Sequence, residues 1–128
     1  MASASNATET LLLKYSLTAD AVTRPTAWYI GLHTADVTDA GTGTEVSGNG
    51  YARTAVSFTV TNDTATNSAT VTFPTASGGS FGTVTHIGIW SATTGGTLYY
   101  HGILQASKTV ADGDTFTIQA GALTIVLA

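Results

Sequence analysis

From Arg24-Pro25 onward, apolar residues recur at every second position, in short runs separated by clusters of Gly, Thr, Asn and Asp. "AWYIGLH" places Trp28, Ile30 and Leu32 on one face; "TAVSFTV" does the same for Val56, Phe58 and Val60, with Thr and Ser opposite. "ATVTF" contributes Val71 and Phe73, and "THIGIWS" sets Ile87 and Ile89 against His86, Gly88 and Trp90. "TLYYHGIL" follows the turn Thr94-Gly95-Gly96. "DTFTIQ" directs Phe116 and Ile118 inward, and "ALTIVL" aligns Leu123, Ile125 and Leu127. A period of two marks strands with one buried face, and the residues between the runs have turn chemistry. Seven to eight short strands in this rhythm predict an all-β fold, an antiparallel β-sandwich or jelly-roll-like architecture. The many threonines agree, because β-branched side chains fit a pleated surface.

One segment breaks the rhythm. Residues Asn6–Leu17 read as a short N-terminal helix, with Asn6 able to cap it and Glu9 completing something close to a capping box. Ala7, Leu11 and Tyr15 fall on one stripe, which Leu12, Leu13 and Leu17 widen. Three turns are marginal alone, so this helix must dock on its own sheet or on a neighbouring subunit. The pattern therefore divides residues 1–128, read as one domain, into an N-terminal helical arm (1–23) and a β core (24–128).

Two strands carry a glycine at their centre, Gly31 in "YIGLH" and Gly88 in "HIGIW". Glycine weakens a strand unless something must approach closely. A bulky cross-strand neighbour lying over it, Trp28, Trp90 or a tyrosine, is the expected cause.

Composition narrows the function. Hydrophobic residues make up 43% of the chain and charged residues only 9%, against about 25% charged in average domains. A surface this bland suits a subunit that buries much of itself against partners. Four basic residues and a net charge of −4 cannot assemble a stripe that neutralises phosphates, which argues against nucleic acid and against anionic membranes. With no cysteine, thiolate metal sites and disulfides are excluded. The N-terminus lacks a positively charged leader, and Leu11-Leu12-Leu13 is too short to span a bilayer, so synthesis and assembly in a cytoplasm are expected.

The candidate chemistry centres on "EVSGNGYARTAVSF", Glu45 to Phe58. A phosphate-binding loop follows a strand, opens a helix and ends in Lys-Ser or Lys-Thr. Here Ser47-Gly48-Asn49-Gly50 leads into Tyr-Ala-Arg and a strand, so the glycines serve a chain reversal. His33, His86 and His101 are far apart in sequence, and Asp36/Asp39 and Asp112/Asp114 lack the ligand density of a calcium loop. Glu45 has no evident partner for two-carboxylate chemistry, and no nucleophile motif is present. The expectation is a protein without enzymatic activity, metal or cofactor. Arg53 is left to pair with Glu45 across the loop, to pair with a carboxylate on a neighbour, or to stand solvated at the start of its strand.

Taken in order, "WYIGLHTAD", "EVSGNGYART", "THIGIWSATTGGTLYYHGIL" and "KTVADGDTFTIQAGALTIVL", behind a leucine-bearing helix, resemble a family of small bacteriophage virion proteins of the tail-fibre-like or capsid decoration (cement) type. Val37 departs from the family, whose members tend to have proline after "HTAD". The resemblance implies a non-enzymatic building block of the virion. Absence of heptads, collagen-like triplets or β-helical repeats, together with sparse charge, favours a capsid decoration protein that binds the major capsid protein, as a homo-oligomer with a trimer favoured. The alternative is a tail fibre, fibre tip or adaptor that contacts tail proteins and a host receptor, in which Trp90, Tyr99 or Tyr100 could stack on a glycan. The expected contact residues are Leu11, Leu12 and Tyr15 on the helix, and Asp36, Glu45, Asn49, Tyr51 and Arg53 in the loop region.

Overall fold

A computed structural model describes residues 2–127 of the chain. Its elements run β1 (Ala2–Ala4), α1 (Asn6–Leu17), β2 (Tyr29–His33), β3 (Thr54–Ala55), β4 (Phe58–Thr61), β5 (Thr64–Asn67), β6 (Val71–Thr72), β7 (Gly82–Trp90), β8 (Leu98–Val110), β9 (Thr117–Ile118) and β10 (Thr124–Val126). Eight strands form one sheet in the order β3-β2-β7-β8-β1-β10-β5-β4, and β6 pairs with β9 as a separate ribbon. Every pairing is antiparallel except β1 with β10.

The sheet is curled, and the chain itself forces this. Its two edge strands, β3 and β4, are joined by only Val56 and Ser57. Ala55 and Phe58 can therefore lie no more than about 11 Å apart. The curl encloses the inward positions of the period-two pattern: Ile30, Leu32, Val84, Ile87, Ile89 and Ile125 are all buried. The β6–β9 ribbon adds Val71 and Ile118, flanked by Phe73 and Phe116, whose rings meet edge to face at 5.7 Å. The all-β, mainly antiparallel class read from the pattern is the one adopted, with a single rolled sheet carrying most of the strands.

Two positions leave the pattern. Val60 and Leu127 lie on the inward period of their runs, yet are 69% and 52% exposed. Val60 on β4 and Leu127, just after β10, line one cavity.

The sheet begins at Ala2, not at residue 24. β1 lies between β8 and β10, with Ala2 opposite Gly102 on one side and Ile125 on the other. Three small residues give no periodic signal, but small side chains fit between two longer strands. Helix α1 covers residues 6–17 as expected, but its cap is Ser5, held extended at φ −81° and ψ 168°. Ser5 Oγ accepts from Thr8 N at 3.4 Å and donates to Leu98 O at 2.6 Å. Asn6 has no such anchor on the sheet, so the buried serine takes the position. Beyond Thr8, whose hydroxyl donates to Tyr99 O at 2.6 Å, the helix leaves the sheet, and Thr8 is its only buried residue.

Candidate functional site

The outer face of β2 and β7 carries the densest chemistry. Tyr29 to His33 pair in register with Trp90 to His86, which sets Gly31 directly opposite Gly88. A Cβ on Gly88 would stand 2.7 Å from Trp90 Nε1 and 3.1 Å from His33 Nε2; one on Gly31 would stand 3.2 Å from Trp90 Nε1. The paired glycines thus let the Trp90 indole lie flat on the sheet, the close approach that the mid-strand glycines predicted, with Trp90 rather than Trp28 as its source. His33 stacks on Trp90 with centroids 6.0 Å apart and an interplanar angle of 18°.

Arg53 also stacks on the indole, its guanidinium 4.1 Å from the Trp90 ring centre. Its fork grips Glu45, Nε to Oε2 at 2.9 Å and Nη2 to Oε1 at 2.8 Å. Nη1 donates to Ala92 O and Gly95 O at 2.9 and 2.8 Å. Tyr51 donates its hydroxyl to Glu45 Oε2 at 2.6 Å and accepts from Leu32 N at 2.9 Å. Glu45, Tyr51 and Arg53, scattered through "EVSGNGYAR", therefore converge on one half-buried network over Trp90.

The loop between them explains its glycines. Gly48, Asn49 and Gly50 all have positive φ, 76°, 55° and 82°, and Tyr51 N closes the turn on Gly48 O at 3.0 Å. Asn49 Nδ2 donates to Ser80 O at 2.9 Å, tying the reversal to the segment before β7. The loop leads into β3 and not into a helix.

Electrostatics follow from burial. Desolvation pushes the Glu45 carboxyl up, but the hydrogen bonds from Arg53 and Tyr51 outweigh it and hold the group below its ordinary value. Burial raises the Tyr51 hydroxyl well above its usual range, helped by its bond to the Glu45 carboxylate. Burial lowers His33, against the attraction of Glu45. His33 Nδ1 lies 3.3 Å from Gly43 O, while His33 Nε2 and Trp90 Nε1 are buried without a hydrogen-bond partner.

The remaining expected contact residues lie elsewhere. Asp36 is exposed and its carboxylate accepts from Thr38 N at 3.0 Å, stabilising a turn in which Thr38 has φ 61°. Leu11 and Leu12 are half-buried on α1, and Tyr15 is 74% exposed. Of the residues named for glycan stacking, Trp90 lies buried under Arg53, and Tyr99 and Tyr100 are half-buried. His33 and His86 are cross-strand partners, whereas His101 turns away to Asp39, Nε2 to Oδ1 at 2.6 Å.

A cavity of about 250 Å³ opens at the end of the curl that holds Val60 and Leu127. Trp28, Phe58 and Tyr100 line it together with Asn62, Asp63 and Thr64, and Asp63 is exposed on the β4–β5 turn at its rim. Val60 and Leu127, both exposed, line this cavity. Sequence periodicity assigns both to the core and gives no hint of it.

Residues 3–126 match the family described as "Podophage GP4 fiber I protein gp80". The chain belongs to this family. It is a small phage virion protein of the fibre type, as the order of motifs indicated. No curated protein matches the chain.

Proposed function

We propose that the chain is a structural component of a podophage fibre, mounted on the virion tail and acting through shape and contact rather than catalysis. The observation that carries this reading is the family match across residues 3–126, whose description names a fibre protein. The chemistry of the Trp90 network supports it. The Glu45 carboxylate is held by Arg53 and Tyr51, and three nitrogens of the guanidinium are engaged with Glu45, Ala92 and Gly95. A cluster so fully bonded internally stiffens a loop and has little to offer a substrate.

On this reading Glu45, Tyr51 and Arg53 fix the loop's shape, and the exposed Asp36, Asn49 and Tyr15, with Leu11 and Leu12 behind, meet partner proteins of the tail. Seating on the major capsid protein as head decoration is the reading that sparse charge suggests; the fibre description favours the tail. Gold-labelled antibody against the chain, imaged on intact particles, decides between them. We expect label on tail fibres, and label confined to the head overturns the proposal.

A further inference from the structure

Among the described residues six large hydrophobic side chains are exposed, and five of them gather at two places. Leu13, Tyr15 and Leu17 are 58%, 74% and 76% exposed on the far half of α1, while Val60 and Leu127 rim the apolar cavity. No residue of α1 lines that cavity. Each molecule therefore displays an uncovered apolar ridge, Leu13 with Leu17, and, separately, an uncovered apolar hole, while Tyr15 points from another face of the helix.

We propose that the two belong to one contact between copies: the Leu13–Leu17 ridge of one chain seats in the Val60/Leu127 cavity of the next. Leu13 and Leu17 are four residues apart and so share a face of α1, the spacing by which helices anchor in apolar grooves. A 12-residue helix whose only buried residue is Thr8 lacks the tertiary packing that holds short helices, and this contact supplies it. Charge agrees. Lys14, one of four basic residues in the chain, lies three positions before Leu17 on the adjoining ridge, and Asp63 stands at the cavity rim.

The cavity's chemistry selects this occupant over a sugar or a small ligand. Most of its lining is aromatic and aliphatic, with Asn62, Asp63 and Thr64 of the β4–β5 turn as the polar exceptions, so most hydroxyls of a buried sugar would go unpaired. At about 250 Å³ it falls below the roughly 300–1,000 Å³ of clefts that enclose small molecules. Because ridge and hole are different surfaces, the contact is heterologous and propagates until a ring closes. It requires no particular seat on the particle.

Light scattering after size exclusion tests this on the full chain. We expect the wild type to be a closed oligomer, and Leu17→Asp and Val60→Asp each to be monomeric. Mixing the two monomeric variants should give a one-to-one dimer and nothing larger, since one still carries an intact hole and the other an intact ridge. Circular dichroism checks that the β sheet persists in Leu17→Asp and Val60→Asp. Lys14→Glu and Asp63→Lys, which leave the apolar surfaces intact, should each raise the assembly midpoint concentration by about threefold, and the double variant should restore it. A monomeric wild type, an oligomeric Val60→Asp variant, a mixture that stays monomeric or a charge swap without rescue overturns the proposal.

Discussion

At the scale of single residues, the molecule's polar capital lies over Trp90. Arg53 has a side chain only 7% exposed, bonded to Glu45 at 23%. Removing one partner of such a pair strands the other's charge away from water. Arg53→Ala should therefore destabilise the fold by about 3 kcal/mol, read as a lower urea midpoint. Arg53→Lys keeps the charge but forfeits the two-pronged grip on Glu45 and the flat stack on the indole, so it should recover only part of that loss. Full recovery with lysine would mean that charge alone matters and that the fork does not.

The same cluster gives two acid limbs with distinct origins. Burial lowers His33 below its ordinary 6.5, so the unfolded chain takes up a proton first as pH falls. Stability is full above 6.5 and declines below it, down to the folded value. Glu45 is held below its ordinary 4.5; its contribution is full above 4.5 and is lost as pH drops through the folded value. Melting temperature followed from pH 7 to 3 should fall in two stages, and His33→Phe should flatten the first while leaving the second. An unchanged slope between pH 6.5 and 5 in that variant would assign the first limb to another group.

At the scale of elements, close approach decides more than propensity. Gly88 has an ordinary strand conformation, so alanine there meets no backbone strain; it meets Trp90 Nε1 at 2.7 Å, Leu98 Cδ1 at 3.0 Å and His33 Nε2 at 3.1 Å. Gly88→Ala should cost about 2 kcal/mol through overpacking, seen as a drop in melting temperature. The cost belongs to the indole above Gly88 and not to the strand conformation.

The mid-strand glycines were thus legible from sequence, because glycine in a strand needs a cause and an indole is a sufficient one. The strand faces were legible too, from Ile30 opposite Ile89 to Leu32 opposite Ile87, since a period of two fixes them. Other features were not. β1 is Ala-Ser-Ala and has no periodicity to read. The Ser5 cap depends on Leu98 O, 93 residues away, which no local pattern reports. The Glu45–Arg53 bridge was one of two pairings open to Arg53, and only the folded loop selects it.

At the scale of the whole molecule, the N-terminal residues hold the sheet together. β1 is the sole element between β8 and β10, and it hydrogen-bonds to both. Without it, the β3-β2-β7-β8 half and the β10-β5-β4 half keep only their shared core and the connections of the chain. Two inner strands would become free edges, the templates for non-native pairing that folded proteins avoid. Deleting residues 1–4 should therefore broaden the unfolding transition and produce aggregates that grow with time, detectable by scattering at constant temperature. Leu17→Asp, at a position 76% exposed, should leave the unfolding transition of the β core sharp and lower its midpoint only by what the contact between copies contributes. If the truncated chain unfolds as cooperatively as the intact one, the sheet does not need its shortest central strand, and the N-terminus serves only to present the helix.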